Sequence, residues 1–478
     1  MSGAVDVTLD DQALTTALAQ LRAVFDGPGT CVEALERLIR TGNDRALVRI
    51  GPSQFALTHD LDQSATLRMF LHARKLGLVT MEWQFVCPGC GEVVESLASL
   101  TSATAHFFCQ VCSTDRSTDL SDGVEVTFKV APTVRRSSYL DPWSLDPETH
   151  FFEYRFCQSG VVDGQPLVDH LRRCAVRCCY VEAGATETIE VDAKPEFLWF
   201  TNGPALSITP RRTETQRRFE FEYSGTHTAG FRLEIPSGPV RIDFTNLTAE
   251  RYALMVVNLP GEYDLEFGPR VTGADVLSNQ TFLDLFPRET ILASEGLQVQ
   301  RLALMFTDLQ GSTALYDRMG DMKAFDLVRL HFGYLRECVS RHSGAVVKTI
   351  GDAVMATFLS SADAVRAARE MHASINDFNQ AHAGELIGLK IGIHWGACLA
   401  VTLNEHLDYF GQTVNVAARV QALSGAHEIV VTDAVLGEPG VFELTADLAA
   451  EASAVSLKGV ASEIVVHHLR EPSRRISS

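Results

Sequence analysis

Asp308 in "LALMFTDLQGST" and Asp352 in "VVKTIGDAVMATF" each stand where an apolar run gives way to a turn. Two carboxylates brought together from separate segments repel each other unless cations hold them, which is the motive for a two-metal site. Asn415 and Arg419 lie four apart in "GQTVNVAARVQALSG" and so project from one face of a helix. Arginine suits a phosphate because its guanidinium is forked and permanently charged. Lys348 and Asp408 supply one donor and one acceptor, the minimum for reading an adenine edge. Each residue alone has a plain reading, such as Asp352 as a turn former and Lys348 as a solvated strand residue. Together they describe a nucleotide site.

A second constellation is made of sulfur. Cys87, Cys90, Cys109 and Cys112 form two CxxC pairs separated by eighteen residues. Each pair can sit on a tight turn with both thiolates aimed at one point, and two such knuckles complete a tetrahedral zinc site. Four protein ligands leave no open position, so the expected single Zn²⁺ per chain is structural. A redox role would need one CxxC beside a βαβ unit. Cys174, Cys178 and Cys179 show no comparable spacing and read as core thiols.

The carboxylates need elements to carry them. Val346, Lys348 and Ile350 alternate before Gly351, and Val354, Ala356 and Phe358 alternate after Asp352, which predicts a β-hairpin. "LALMFTDLQGST" reads as a strand ending at Asp308 and turning at Gly311. A helix is expected over 323–341, with apolar positions 327, 330, 334, 335, 338 and 339. A second opens near Ser361 and places Val365, Ala368, Met371, Ile375 and Phe378 on one face. "LKIGIHWG" is another strand, and the helix bearing Asn415 and Arg419 closes at Gly425. A mixed α/β sheet with helices on one face is the expected result.

Ahead of it, residues 1–86 read as a helical segment, with a winged-helix-like unit as one reading and a helical packing module as the other. "FALTH" reads there as a short strand, and a further strand follows Gly77. Residues 87–118 form the Cys₄ ribbon. From 119 to 272 at least seven short alternating runs, beginning with "VEVTFKV", predict a β-sandwich-like regulatory module with a helical insertion near "GQPLVDHLRR". Residues 273–299, interrupted by Pro287, read as a linker to the domain at 300–470. The chain of 478 residues, 46% hydrophobic and 21% charged, is expected to be a soluble multidomain α+β protein. Its net charge of −19 argues against a polybasic partner such as nucleic acid or an anionic membrane. No apolar run reaches the roughly 18 residues of a membrane span, the first residues lack a signal-peptide pattern, and eleven cysteines suit a reducing cytoplasm.

"FTDLQGST", "KTIGDAVMATF", "LKIGIHWG" and "HLDYFGQTVNVAARV" resemble, in order, the signatures of class III nucleotidyl cyclase catalytic domains, over about 300 to 470. The resemblance implies a ferredoxin-like α/β domain acting as a head-to-tail homodimer on ATP. It implies that Asp308 and Asp352, assisted by the Leu309 carbonyl, bind two Mg²⁺ or Mn²⁺ ions. Lys348 and Asp408 would select adenine, while Asn415 and Arg419 would orient the ribose and stabilise charge on the α-phosphate. It also implies that the metal ligands and base readers of one pocket come from different chains. Many relatives carry a second lysine after "LKG", where this chain has Val460. Lys458 is two positions off, so the triphosphate would rest on the metals, the turn amides around 309–313, among them Gly311, Ser312 and Thr313, and other basic groups. The region before residue 300, with its Cys₄ knuckle, resembles the leader of a bacterial subset of these cyclases and implies a regulatory ligand or protein without naming it.

Two rivals stand beside the adenylate cyclase reading. A guanylate cyclase would favour Glu where Lys348 sits and a small polar residue where Asp408 sits. A nucleotide-sensing or nucleic-acid-binding protein with a degenerate cyclase fold would not need all six functional positions filled. A phosphate-binding ribbon would also want Lys or Arg, and neither lies between Cys87 and Cys112.

Overall fold

The computed structural model describes residues 9–471 except 110, 113, 194–196, 202–205, 212–216, 226–231, 259–262, 290, 292–295, 383–386 and 461; for 197–201, 206–211, 232–235 and Thr313 it describes the backbone alone. The chain divides into two compact units: Met1–Ala98, His106–Thr118 and Asp122–Val271 make the first, and Ser99–Ala105, Asp119–Ser121 and Thr272–Ser478 the second. Among the described residues, no helix is long and apolar enough to cross a membrane.

The first unit opens with helices Asp11–Val24, Gly29–Thr41, Pro52–His59 and Gln63–Lys75. Asp10 and Asp62 cap the first and last of them, each accepting from the backbone N–H three residues on. Pro52–His59 corrects the expected short strand. Pro52 suits a first helical turn, and adjacent Phe55 and Ala56 are buried while Leu57 is 53% exposed, which is a helical rather than an alternating pattern. The strand expected after Gly77 is Val79–Val86, and it pairs with Val93–Leu97 on one side and Val124–Val130 on the other. "VEVTFKV" therefore completes this sheet instead of opening the β module.

Most of the remaining strands form a five-stranded sheet, in the order Arg232–Pro236, Leu206–Arg211, Phe197–Thr201, Tyr252–Val257, Ala175–Val181, and a three-stranded sheet of Arg218–Tyr223, Gly238–Asn246 and Thr186–Ala193. The short strands Glu266–Phe267, Gly160–Val162 and Gln165–Pro166 make another three-stranded sheet, and His106–Cys109 pairs with Thr114–Ser117. Val181, Ile189, Ile242, Phe244, Leu254 and Val256 are packed together as one core from both sheets. Ala253, Met255 and Val257, on the reverse face of Tyr252–Val257, belong to another core with Phe151, Phe152 and the helix Leu167–Cys174. A strand covered on both faces reads as a continuous apolar run, which is why "YALMVV" shows no alternation.

The second unit contains helices α1 (Gly273–Leu277), α2 (Gln280–Leu285), α3 (Ser312–Met319), α4 (Asp321–Arg341), α5 (Ser361–Ala381) and α6 (Gln412–Ala422). Its strands are β1 (Leu297–Gln310), β2 (Ala345–Ile350), β3 (Ala353–Phe358), β4 (Gly388–Leu403), β5 (His406–Phe410), β6 (Glu428–Thr432), β7 (Ala449–Val455) and β8 (Ile464–Arg470). They form one mixed sheet in the order β2-β3-β1-β4-β6-β8-β7, with β5 paired to β4; among the described residues the β4–β6 pair alone is parallel. Met305, Val354, Ala356, Phe358, Ile391 and Ile393 face α4 and α5 across the main core. Leu330 departs from the expected apolar face of α4, at 45% exposed.

Helix α6 lies on the other face, where Val416 and Val420 pack against Val430 and Val466. The expectation of helices on one face is thus corrected, and two glycines of β4 explain it. A Cβ at Gly392 would sit 2.2 Å from the Gln421 backbone nitrogen, and one at Gly396 would sit 3.0 Å from Thr413 Oγ1. Spaced four apart, they clear one face of the strand so that α6 lies directly on the backbone.

Candidate active site

Asp308 ends the buried stretch of β1, opposite Lys390 of β4 and on the face that carries α6. Asp352 sits in the turn of the β2–β3 hairpin. The two carboxylates feel each other: burial raises the Asp308 carboxyl above the ordinary aspartate range, and the charge of Asp352 raises it further. Lys390, the Leu309 backbone and the Gln421 amide pull the other way. Among the described residues, Asp352 Oδ2 is buried without a hydrogen-bond partner. A buried carboxylate oxygen left unsatisfied beside a second carboxylate fits a divalent cation held by hard oxygen ligands. Leu309 puts its side chain into a core with Leu315 and Leu327, so its carbonyl is the ligand it can offer. Gly311, at φ +72°, turns the chain into α3, which places Gly311 and Ser312 at that helix's N-terminus. The Thr313 side chain lies outside the described residues.

Lys348 reaches its position through an irregularity that alternation does not reveal. In β2, Val346 opposes Ala356 and Lys348 opposes Met355, so two residues are used against one and Val347 is the extra member of a β-bulge. Directly opposed residues share a face, and Ala356 faces α4 and α5 while Met355 does not. The bulge therefore turns Lys348 to the opposite face from Val346, where strict alternation would have kept them together. There Lys348 Nζ donates to both oxygens of Asp408, at 2.8 and 2.6 Å. The Asp408 side chain is 9% exposed and also accepts from the Tyr409 backbone N–H at 2.8 Å.

Asn415 and Arg419 lie on α6, the first exposed and the second half-buried. The Arg419 guanidinium approaches Gly459, within 3.6 Å of the place a Cβ would occupy. Among the described residues Arg419 has no ion-pair partner, which leaves its charge available to an anion. Val460 packs with the apolar cluster of Val416, Val420 and Leu457. The structure thus brings together Asp308 with Asp352, Lys348 with Asp408, and Asn415 with Arg419. Among the described residues, no hydrogen bond or ion pair joins one of these pairs to another.

Sequence reasoning missed Lys390 and Gln421 beside Asp308, and His331 on α4. Lys390 was detectable as the one charge in an apolar strand. His331 is fully buried with neither ring nitrogen hydrogen-bonded; burial pushes it down to about 4, while the charge of Asp352 opposes that shift.

In the first unit, the ligand atoms of Cys87, Cys90, Cys109 and Cys112 all lie within 4.8 Å of one another, so the cluster could hold a metal ion. Cys87 to Cys112 is 3.7 Å and Cys90 to Cys109 is 3.6 Å, sulfur to sulfur. Hydrogen bonding from Cys109 pulls the Cys87 and Cys112 thiols below the usual range and pushes Cys90 above it. Glu92 was not foreseen: its buried carboxylate accepts from Cys109 Sγ at 3.4 Å and from the Val111 N–H at 3.3 Å, and it pairs with Arg155 at 2.6 Å. Arg116 lies beside the knuckle, 3.0 Å from the place of a Cβ on Gly89.

Residues 296–466 match the family described as "Adenylate and Guanylate cyclase catalytic domain", and residues 10–284 match "Family of unknown function (DUF5939)". The chain is 29% identical over 187 residues to an adenylate cyclase of Mycosarcoma maydis, covering 34% of this chain and 7% of that protein. It is 28% identical over 216 residues to adenylate cyclase 2 of Rhizobium meliloti (strain 1021), covering 43% of this chain and 58% of that protein. The chain therefore spans less than two thirds of either relative. Among solved structures, the adenylyl cyclase CyaB of P. aeruginosa is similar with a TM-score of 0.33 and 21% identity, over 38% of this chain and 98% of that one.

Proposed function

The chain belongs to the family of unknown function DUF5939 and carries an adenylate and guanylate cyclase catalytic domain at residues 296–466; from that premise we propose that it is an adenylate cyclase converting ATP to 3′,5′-cyclic AMP and pyrophosphate. The observation that carries the choice of ATP is the Lys348–Asp408 pair, a donor and an acceptor side by side on a sheet face. Adenine offers an acceptor at N1 and a donor at its 6-amino group, which matches the pair. Guanine offers the reverse and would set its N1 donor against the Lys348 ammonium.

The reaction forms a bond between the ribose 3′-oxygen and the α-phosphorus, breaks the bond to the bridging oxygen of the β-phosphate, and releases the 3′-hydroxyl proton. Asp308, Asp352 and the Leu309 carbonyl would hold two Mg²⁺ or Mn²⁺ ions, which supply charge neutralisation and a lowered hydroxyl pKa when bound. Arg419, without a carboxylate partner among the described residues, would meet the charge that grows on the α-phosphate, a contribution of about 3 kcal/mol. Asn415, four residues earlier on α6, orients the ribose. Nucleophile and electrophile belong to one molecule, so holding base, sugar and phosphate at fixed points supplies much of the remaining acceleration. Gly311, Ser312 and Thr313 would contribute backbone amides to the triphosphate, in place of the lysine that Val460 replaces.

The active form is a head-to-tail homodimer in which Asp308 and Asp352 of one chain meet Lys348, Asp408, Asn415 and Arg419 of the other. The test is complementation. Mixtures of Asp352→Ala and Arg419→Ala chains contain dimers with one intact pocket, and turnover should recover to about a quarter of wild type if sites are independent. A mixture that stays inactive despite confirmed subunit exchange would show that each pocket is built within one chain.

The Cys₄ cluster is proposed to hold one structural Zn²⁺. Tetrahedral zinc with Zn–S near 2.3 Å requires sulfurs about 3.8 Å apart, close to the 3.6 and 3.7 Å found. Residues before 273 are proposed as a cytoplasmic regulatory region that receives a signal by binding a ligand or protein.

A further inference from the structure

The strand that carries Lys348 lies at the edge of its sheet: β2 pairs with β3 on one side, and among the described residues no strand follows on the other. A bulge on an exposed edge interrupts the ladder where nothing beyond it restores the pairing. The segment before β1 closes on this edge. From α2, the Gln280 side-chain carbonyl accepts from the Val346 N–H at 2.8 Å, next to the bulged residue. The Gln280 amide donates to Asp284 Oδ1 at 2.9 Å, and Asp284 is ion-paired with Arg336 of α4. Gln280 is 9% exposed, so this hydrogen bond is largely withdrawn from water. Val347 itself lines a cavity of about 210 Å³ with Leu277, Phe282 and Leu407. Ser278, just ahead of α2, faces the buried hydroxyl of Tyr409, the neighbour of Asp408 in β5.

We propose that Gln280 is a positioning residue for base recognition: its side-chain carbonyl holds the Val347 bulge that turns Lys348 onto the face of Asp408. This rests on the adenylate cyclase reading given above. Without the acceptor, β2 can lose the bulge by a one-residue slip, which moves Lys348 from the face of Met355 to that of Val354, or it can fray from the edge. Either way Lys348 leaves Asp408. Gln280 touches no substrate; it acts through the strand.

The test uses the full-length protein. Gln280→Met keeps length and burial but removes the acceptor. Gln280→Glu combined with Asp284→Asn restores an acceptor for the Val346 N–H and exchanges donor and acceptor within the 280–284 hydrogen bond. Initial rates with ATP and with GTP are measured alongside amide hydrogen exchange of residues 346–350. Gln280→Met is expected to raise KM for ATP about fivefold, the size of one lost hydrogen bond. The preference for ATP over GTP should narrow by a similar factor while kcat for ATP changes by less than about twofold, and exchange should accelerate at 346–350. The double variant should restore both readouts. Faster exchange with unmoved KM and preference would reduce Gln280 to a structural contact and overturn the proposal, as would unchanged exchange or a folded double variant that restores neither. A wild-type protein that cyclises no nucleotide defeats the enzymatic reading itself. An active wild type with an unmoved KM in a folded Gln280→Met defeats this proposal alone.

Discussion

Two clusters of acidic groups, one in each compact unit, are built to opposite ends. The four sulfurs around Cys87 come from two tight knuckles within 26 residues, and Cys87, Cys90 and Cys109 are buried. Glu92 and Arg155 close over them. The carboxylates of Asp308 and Asp352 come from a strand and a hairpin turn, both are half-buried, and one oxygen is left unsatisfied. Four soft donors that complete their own polyhedron can hold a cation and do little else. Two hard donors that do not can share a cation with a substrate. Ligand count and closure, more than charge, thus separate a cluster suited to hold a structural metal from one suited to share a cation with a substrate.

The largest expected effect breaks the open site while leaving its unit folded. Asp308→Ala or Asp352→Ala should reduce cyclic AMP formation at least about a hundredfold, with the thermal midpoint retained because a repulsion has been removed. Wild-type turnover in either variant would end the metal assignment. At the closed site the effect should fall on folding. Cys87→Ser with Cys90→Ser should lose the copurifying zinc and lower the midpoint of the first unit by about 10 °C or more. Metal analysis without zinc in the wild type, or an unshifted midpoint in the variant, would remove the distinction between the two clusters.

The smallest effect sharpens the comparison through pH. Burial and Asp352 raise the Asp308 carboxyl in the folded state, so the ion-free folded protein binds more protons than the unfolded chain near that range. Stability is then lost as pH rises through the raised value, and the whole cost is present at neutral pH. In chelator, Asp308→Asn should melt about 2 °C above wild type at pH 7, and the gap should close as pH falls below the ordinary aspartate value of about 4. Adding Mn²⁺ should shrink or reverse the gap, since only wild type keeps the full ligand pair. A gap independent of both pH and Mn²⁺ would show that the carboxylates do not interact as described.

Much of both sites was legible in the residues. The spacing of Cys87, Cys90, Cys109 and Cys112 anticipated a cluster because two short turns decide its geometry, and the cluster is found. The hairpin around Gly351 and the helix from Ser361 followed from period-2 and period-3.6 patterns that local packing enforces. Glu92 and Arg155 were not legible, since a carboxylate 63 positions from its arginine carries no local signature.

What the sequence determined by itself was therefore local: which runs pair or coil, which turns need glycine, and which chemical groups are available. The tertiary structure decided what faces what. "VVK" places two valines and a lysine in succession, and nothing in that order says that Val347 will be left unpaired and Lys348 turned over. Gly392 and Gly396 in "IGIHWG" look like weak points of a strand until α6 lies across them. "VEVTFKV" has the alternation of any edge-to-core strand, and its pairing with Val79–Val86 depends on a partner about forty residues away. Pattern reports the needs of a residue within one turn or one pleat. The face it finally occupies is settled by the packing of segments distant in sequence, because burial there outweighs local preference.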